Sequence, residues 1–137
     1  MNITDIIENF SYLDDWEDRY KYVIELGKEL ETMPDALQVD ANKVRGCTSQ
    51  VWLSTRVAER DGEPVLHFLG NSDAHIVRGL VCITLAIFND KTAREIVGLD
   101  AEAIFNEVQL RDHISAQRSN GLNSMLQRIK ADARNLL

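Results

Sequence analysis

The chain has 137 residues, 45% of them apolar, and a formal net charge of −7. That length suits one domain, spanning 1–137, with a sizeable core, and the acidic balance argues against nucleic acid as a partner, because phosphate binding needs a basic surface. No apolar run reaches membrane-span length, the N-terminus carries no signal-like core, and there are only two cysteines, so the expectation is a cytoplasmic chain with no membrane partner and no stable disulfide.

Ile3, Ile6, Ile7 and Phe10 recur at helical spacing and predict a short amphipathic helix over 2–13. Asp14, with Glu17 three residues on, reads as the N-cap of a second helix. Trp16, Tyr20, Val23, Ile24, Gly27 and Leu30 share one face of that helix, and the stripe reads as core packing. Met33-Pro34 marks its end, since the residue before proline is pushed out of the α region. Residues 34–49 form a long connection, with Leu37 and Val39 as its anchors on the core. A long ordered loop in a small domain is often functional. This one delivers Gly46-Cys47-Thr48-Ser49.

From Gln50 the period changes to two. Val51, Leu53, Thr55 and Val57 point one way and Trp52, Ser54 and Arg56 the other. Asp61-Gly62 is a turn signal, and Val65 to Leu69 is the returning strand of a hairpin. Gly70-Asn71-Ser72-Asp73 is expected to close it and to cap a helix over about 74–89, which is apolar nearly all round and therefore the most buried element. Cys82 lies inside that helix as core filler. Thr92-Ala93-Arg94-Glu95 is a capping box opening a short helix, and Asp100 caps another reaching about Val108. Leu110 to Gly121 reads as polar and irregular. The last helix starts near Asn120, with Leu122, Met125, Leu126, Ile129 and Ala133 as its apolar stripe. Helices around a small antiparallel sheet make an α+β layer fold.

Chemistry concentrates at Cys47. Gly46 permits a sharp turn before it, and Thr48 and Ser49 are loop residues that bond their own backbone. A thiol at such a tip is accessible yet held, which suits a nucleophile; a small buried apolar role is the other reading, and the residues alone leave both open. A nucleophilic thiol wants a base or cation nearby, and Arg45, His113 and Arg118 are the candidates. Arg118 stands just before the expected last helix, where free N–H groups favour an anion. There is no Cys-x-x-Cys and no paired-histidine motif, and His67, His75 and His113 are scattered, so no metal site is expected.

Taken together, several stretches resemble the SufE family of sulfur-acceptor proteins, in family order and over most of residues 16–130. They are Trp16-Glu17-Asp18-Arg19-Tyr20, Leu26-Gly27-Lys28, Gly46-Cys47-Thr48-Ser49-Gln50-Val51-Trp52-Leu53, Gly70-Asn71-Ser72-Asp73-Ala74, Ile76-Val77-Arg78-Gly79-Leu80 and Ser115-Ala116-Gln117-Arg118-Ser119-Asn120-Gly121-Leu122. The resemblance implies a fold shared with IscU-type scaffolds. It also implies a role: taking persulfide sulfur from a SufS-type cysteine desulfurase onto Cys47, stimulating that desulfurase, and relaying the sulfur to an iron–sulfur scaffold complex. Pyridoxal phosphate would belong to the partner, so no cofactor is expected in this chain, which is a sulfur-transfer partner rather than an independent enzyme. Gly46, Trp52, Asp73 and Arg118 are the expected supporting residues around Cys47. The relative CsdE serves a different desulfurase, and Ser49-Gln50-Val51-Trp52 leans toward SufE. Two alternatives remain: an adaptor with Cys47 structural, and a single-cysteine thiol redox protein. Since a persulfide is lost to any free thiol, Cys47 is expected to be largely buried until a partner draws its loop out.

Overall fold

The computed structural model describes residues 2–137. Six helices pack on a three-stranded antiparallel sheet of order β1-β2-β3, an α+β fold. The first helix, α1 (Ile3–Ser11), starts where Asn2 accepts a hydrogen bond from the Asp5 amide, and it buries Ile6 and Phe10. Next, α2 (Trp16–Gly27) is capped by Asp15, whose side chain accepts from the Glu17 amide, so the cap is one residue later than Asp14. Its buried face is Val23, Leu26 and Gly27, while Tyr20 is exposed. The helix stops at Gly27, well short of Met33, because the amides of Lys28 and Glu29 turn back to the carbonyls of Glu25 and Leu26, at 3.0 Å each. Pro34 thus limits the helix without choosing its end.

Residues 34–49 contain two 3₁₀ turns, Asp35–Leu37 and Asp40–Asn42. The anchors of this connection are Met33 and Val44, both buried; Leu37 is only half-buried and Val39 is exposed. Val44 is held because its amide donates to the Val51 carbonyl at 2.8 Å and its neighbour Lys43 bridges Trp52.

The hairpin β1 (Val51–Arg60) and β2 (Glu63–Ser72) pairs from Val51↔Ser72 to Arg60↔Glu63. Asp61 and Gly62 both have positive φ, the conformation of a tight hairpin turn of matching twist. Alternation holds at the base, where Val51 and Leu53 are buried, and fades toward the tip, where Val57 is exposed because the hairpin outruns the core. The strand runs on through Gly70, Asn71 and Ser72, which are paired and not a closing loop. A two-residue strand, β3 (Lys91–Thr92), unannounced by any pattern, extends the sheet on the far side of β2.

The central helix α3 (His75–Phe88) is buried at eleven positions, among them Cys82. It lies tight against α2: a Cβ at Gly79 would sit 1.9 Å from the Val23 carbonyl oxygen, which only glycine avoids. Then come α4 (Ala93–Gly98), opened by the Thr92–Glu95 capping box, and α5 (Ala101–Glu107), capped by Asp100, both as the sequence suggests. The last helix, α6 (Ala116–Arg134), begins four residues before Asn120, with Ser115 as N-cap. Lys130 on α6 donates to the carbonyls of Ile96 and Val97 at 2.6 and 3.1 Å, satisfying the C-terminal end of α4. Its lower half is tied to β1 by Thr55 donating to Asp132 at 2.6 Å.

Candidate functional site

Two elements far apart in the chain meet at Cys47: the loop before β1 and the first turns of α6. Gly46 makes this possible. Its φ of +87° is a left-handed conformation, and a Cβ there would also fall 2.7 Å from Ser124 Oγ on α6. One turn earlier on α6, Gly121 presents a bare backbone to the thiol. Its carbonyl oxygen accepts from Cys47 Sγ at 3.6 Å, and a Cβ at Gly121 would lie 3.3 Å from that sulfur. The thiol therefore rests on Gly121, where a larger side chain would push it away, while Gly46 before it packs against Ser124 one turn further along α6.

Beside it is a partly open cavity of about 310 Å3. Val77 and Leu80 from α3 and Leu122 and Met125 from α6 supply its apolar wall, and Thr48, Gln117 and Arg118 its polar part. Cys47 is half-buried here, not largely buried, since its sulfur packs on Gly121 while facing the cavity. Burial raises its pKa above the ordinary thiol value, which keeps the resting group protonated.

The two ends of the cysteine loop are clamped. Upstream is the Val44–Val51 bond. Downstream, the Gln50 amide donates to the Asp73 carboxylate at 3.1 Å and the Asp73 amide to the Gln50 carbonyl at 3.3 Å. Asp73 is thus a clamp on the loop. It is not a helix cap, for α3 has Ala74 at that position with no side-chain bond. Trp52 is half-buried on the other face of β1, opposite Asn71, and lies outside the cavity wall; it meets the loop through the Lys43 bridge. Among the candidate cations, Arg118 alone lines the cavity. It sits inside the first turn of α6, where its amide donates to Ser115 Oγ at 3.2 Å. His113 is instead stacked on Trp16, ring centroids 3.9 Å apart.

Arg111, in the stretch read as irregular, bolts the start of α6 in place. Its guanidinium donates to Glu102 at 2.9 Å, to Asn123 at 2.6 Å and to Ser119. Arg111, Gly121 and Ser124 were missed because nothing local marks them; Gly121 stood only as part of a motif. Cys82 lines a different cavity with Leu85, Ala86 and Asn89, which shares no residue with the first. Burial raises its pKa as well. Among the described residues no group of three His, Cys, Asp or Glu side chains is placed to hold a metal ion, and no helix is long and apolar enough to cross a membrane.

Comparison with known proteins gives this geometry a context. A family model described as SufE, Fe-S metabolism associated domain, matches residues 4–133. An uncharacterized SufE-like protein of Rhizobium meliloti (strain 1021) is 54% identical, over 96% of this chain and 94% of that protein. One from Rhizobium etli is 51% identical, over 97% and 90%. The sulfur acceptor protein CsdE of Escherichia coli (strain K12) is 43% identical, over 89% and 81%. The solution structure of a hypothetical protein from Thermus thermophilus superposes with a TM-score of 0.73 over 98% of this chain and 94% of that one; at 15% identity it shares the fold.

Proposed function

Because this chain belongs to the SufE family, we propose that it is a sulfur acceptor that takes persulfide sulfur from a cysteine desulfurase of the SufS type onto Cys47. The observation that carries the reading is a single thiol seated on Gly121 beside a cavity with an apolar wall and a polar side, with Cys82 in another cavity. Support also comes from the 43% identity to a protein named as a sulfur acceptor. In the transfer, the Cys47 thiolate attacks the outer sulfur of the partner's persulfide. A bond forms between Cys47 Sγ and that sulfur, the partner's S–S bond breaks, and the partner leaves as a thiolate. The proton given up by Cys47 goes to solvent.

Each supporting residue has a part in this reading. Gly46 supplies the turn, Asp73 clamps the loop, Trp52 anchors its stem through Lys43, and Arg118 offers positive charge to an anionic persulfide. The apolar wall shelters the sulfur between encounters, and the loop swings out when a partner draws it. The acceptor then stimulates the desulfurase by clearing its persulfide and relays sulfur to an iron–sulfur scaffold complex, all in the cytoplasm and within one domain. Pyridoxal phosphate stays with the desulfurase.

The test is incubation with a SufS-type desulfurase and L-cysteine, followed by intact mass. Wild type should gain one sulfur, about 32 Da, on Cys47; Cys47→Ser should gain none while keeping its melting temperature, since a serine oxygen is too weak a nucleophile. Sulfur appearing on Cys82 in the variant would overturn the assignment.

A further inference from the structure

The cavity beside Cys47 is far larger than the cargo just assigned to it. One sulfur atom needs about the share of a single water molecule, on the order of 30 Å3, against about 310 Å3 available. Small-molecule pockets begin at about 300 Å3 and combine an apolar lining with a few convergent polar groups. This cavity has that make-up. Val77, Leu80, Leu122 and Met125 are apolar, and Arg118 and Gln117 are polar. The guanidinium of Arg118 has no hydrogen-bond or ion-pair partner among the described residues, whereas Arg111 close by is fully engaged with Glu102, Ser119 and Asn123. A chain of net charge −7 repels anions at long range. A free guanidinium on the cavity wall reverses that locally, and its planar fork matches a carboxylate.

We propose that this cavity binds a low-molecular-mass perthiol bearing a carboxylate, of which cysteine persulfide is the simplest, and that Cys47 takes sulfur from it with no protein donor. The proposal rests on the reading of Cys47 as a sulfur acceptor and names a second class of donor for the same site. Arg118 holds the carboxylate, and the perthiol end lies along the apolar wall toward Cys47. The Cys47 thiolate attacks the outer sulfur; an S–S bond forms to Sγ and the donor's own S–S bond breaks. The bonding pair leaves on the donor's inner sulfur, which takes up the proton that Cys47 released. One S–S bond replaces another, so no oxidant or reductant enters.

The experiment uses the full chain without desulfurase and follows the gain of about 32 Da on Cys47 by intact mass. Two probes are compared over a range of concentrations: cysteine persulfide, and a neutral alkyl persulfide of similar size with no carboxylate. Loading from cysteine persulfide should saturate, and its kcat/KM should exceed that of the neutral probe by about tenfold, the effect expected of one charge-assisted carboxylate contact. Arg118→Ala should erase that advantage mainly by raising KM, and Arg118→Lys should restore part of it. Arg118 is exposed, so a circular dichroism melt suffices to show that both variants fold. Rates that rise linearly and equally for both probes would overturn the proposal, as would an Arg118→Ala variant that keeps the preference. A parallel reaction with desulfurase and L-cysteine separates the two readings. Loading there but no saturable loading from the perthiol overturns the small-donor proposal alone; no loading of Cys47 by either route overturns both.

Discussion

Gly121→Ala is the sharpest probe of how Cys47 is seated. The added methyl would lie 3.3 Å from Cys47 Sγ and 3.7 Å from its Cα and Cβ, closer than the sulfur tolerates without moving by a few tenths of an ångström. Two effects oppose each other. Alanine in a helix interior gains about 1 kcal/mol over glycine, and Gly121 is well inside α6. Overpacking a rigid site costs about 1–3 kcal/mol. The site is not rigid, because the loop is tied by few bonds: Val44–Val51 at one end and Gln50–Asp73 at the other. The loop should therefore give way and the helix term should win. The melting temperature is expected to hold or rise by up to about 4 °C, the shift that ~1 kcal/mol produces at this size. Cys47, displaced toward solvent, should alkylate several-fold faster with iodoacetamide, and a persulfide on it should decay faster in the presence of a free thiol. A fall of more than about 4 °C with alkylation unchanged would mean that the seat is rigid and that the loop does not give way as argued.

Cys82 should label far more slowly than Cys47 in native buffer, because it is 9% exposed and its pKa is raised by burial; Cys82→Ala should cost on the order of 1 kcal/mol and leave sulfur acceptance intact. Similar labelling rates for the two thiols would contradict the burial of α3. Asp73→Ala removes the acceptor of the Gln50 amide, so it should lower stability by about 1 kcal/mol and speed Cys47 alkylation without blocking sulfur acceptance; an unchanged alkylation rate would dismiss Asp73 as a clamp. His67 supplies a pH prediction. Its ring nitrogens lie 2.8 Å from Glu31 and from Asp90. Burial disfavours the charged ring, but the hydrogen bonds to Asp90 and Glu31 and the two carboxylate charges outweigh it, so the folded pKa is raised. The bridge is then at full strength below about pH 6.5 and is lost as pH rises through the folded value. His67→Gln should lower the melting temperature more near pH 6 than near pH 8.5, and an equal loss at both would refute the sign.

Much of this protein is written in short-range pattern. The Asp61-Gly62 turn, the Thr92–Glu95 capping box, the Asp100 cap and the apolar α3 all follow from residues within one turn or one strand of each other, where sterics and hydrogen-bond geometry leave few choices. The Gly-Cys-Thr-Ser loop was legible for the same reason, and family resemblance named its cysteine.

What the tertiary structure decided are questions of partnership across the chain. Asp73 carries every local mark of a cap, yet it serves the Gln50 amide because β2 runs on through Ser72 and brings Asp73 beside the loop. Val39 is as apolar as Val44, but only Val44 meets a strand that can fix it. Gly121 is an ordinary helix residue until Cys47 arrives from 74 positions away. Arg111 looks like loop polarity until Glu102 and Asn123 converge on it. Local sequence sets which conformations are cheap; which distant groups share a site depends on how the helices close over the sheet, and that is a property of packing as a whole.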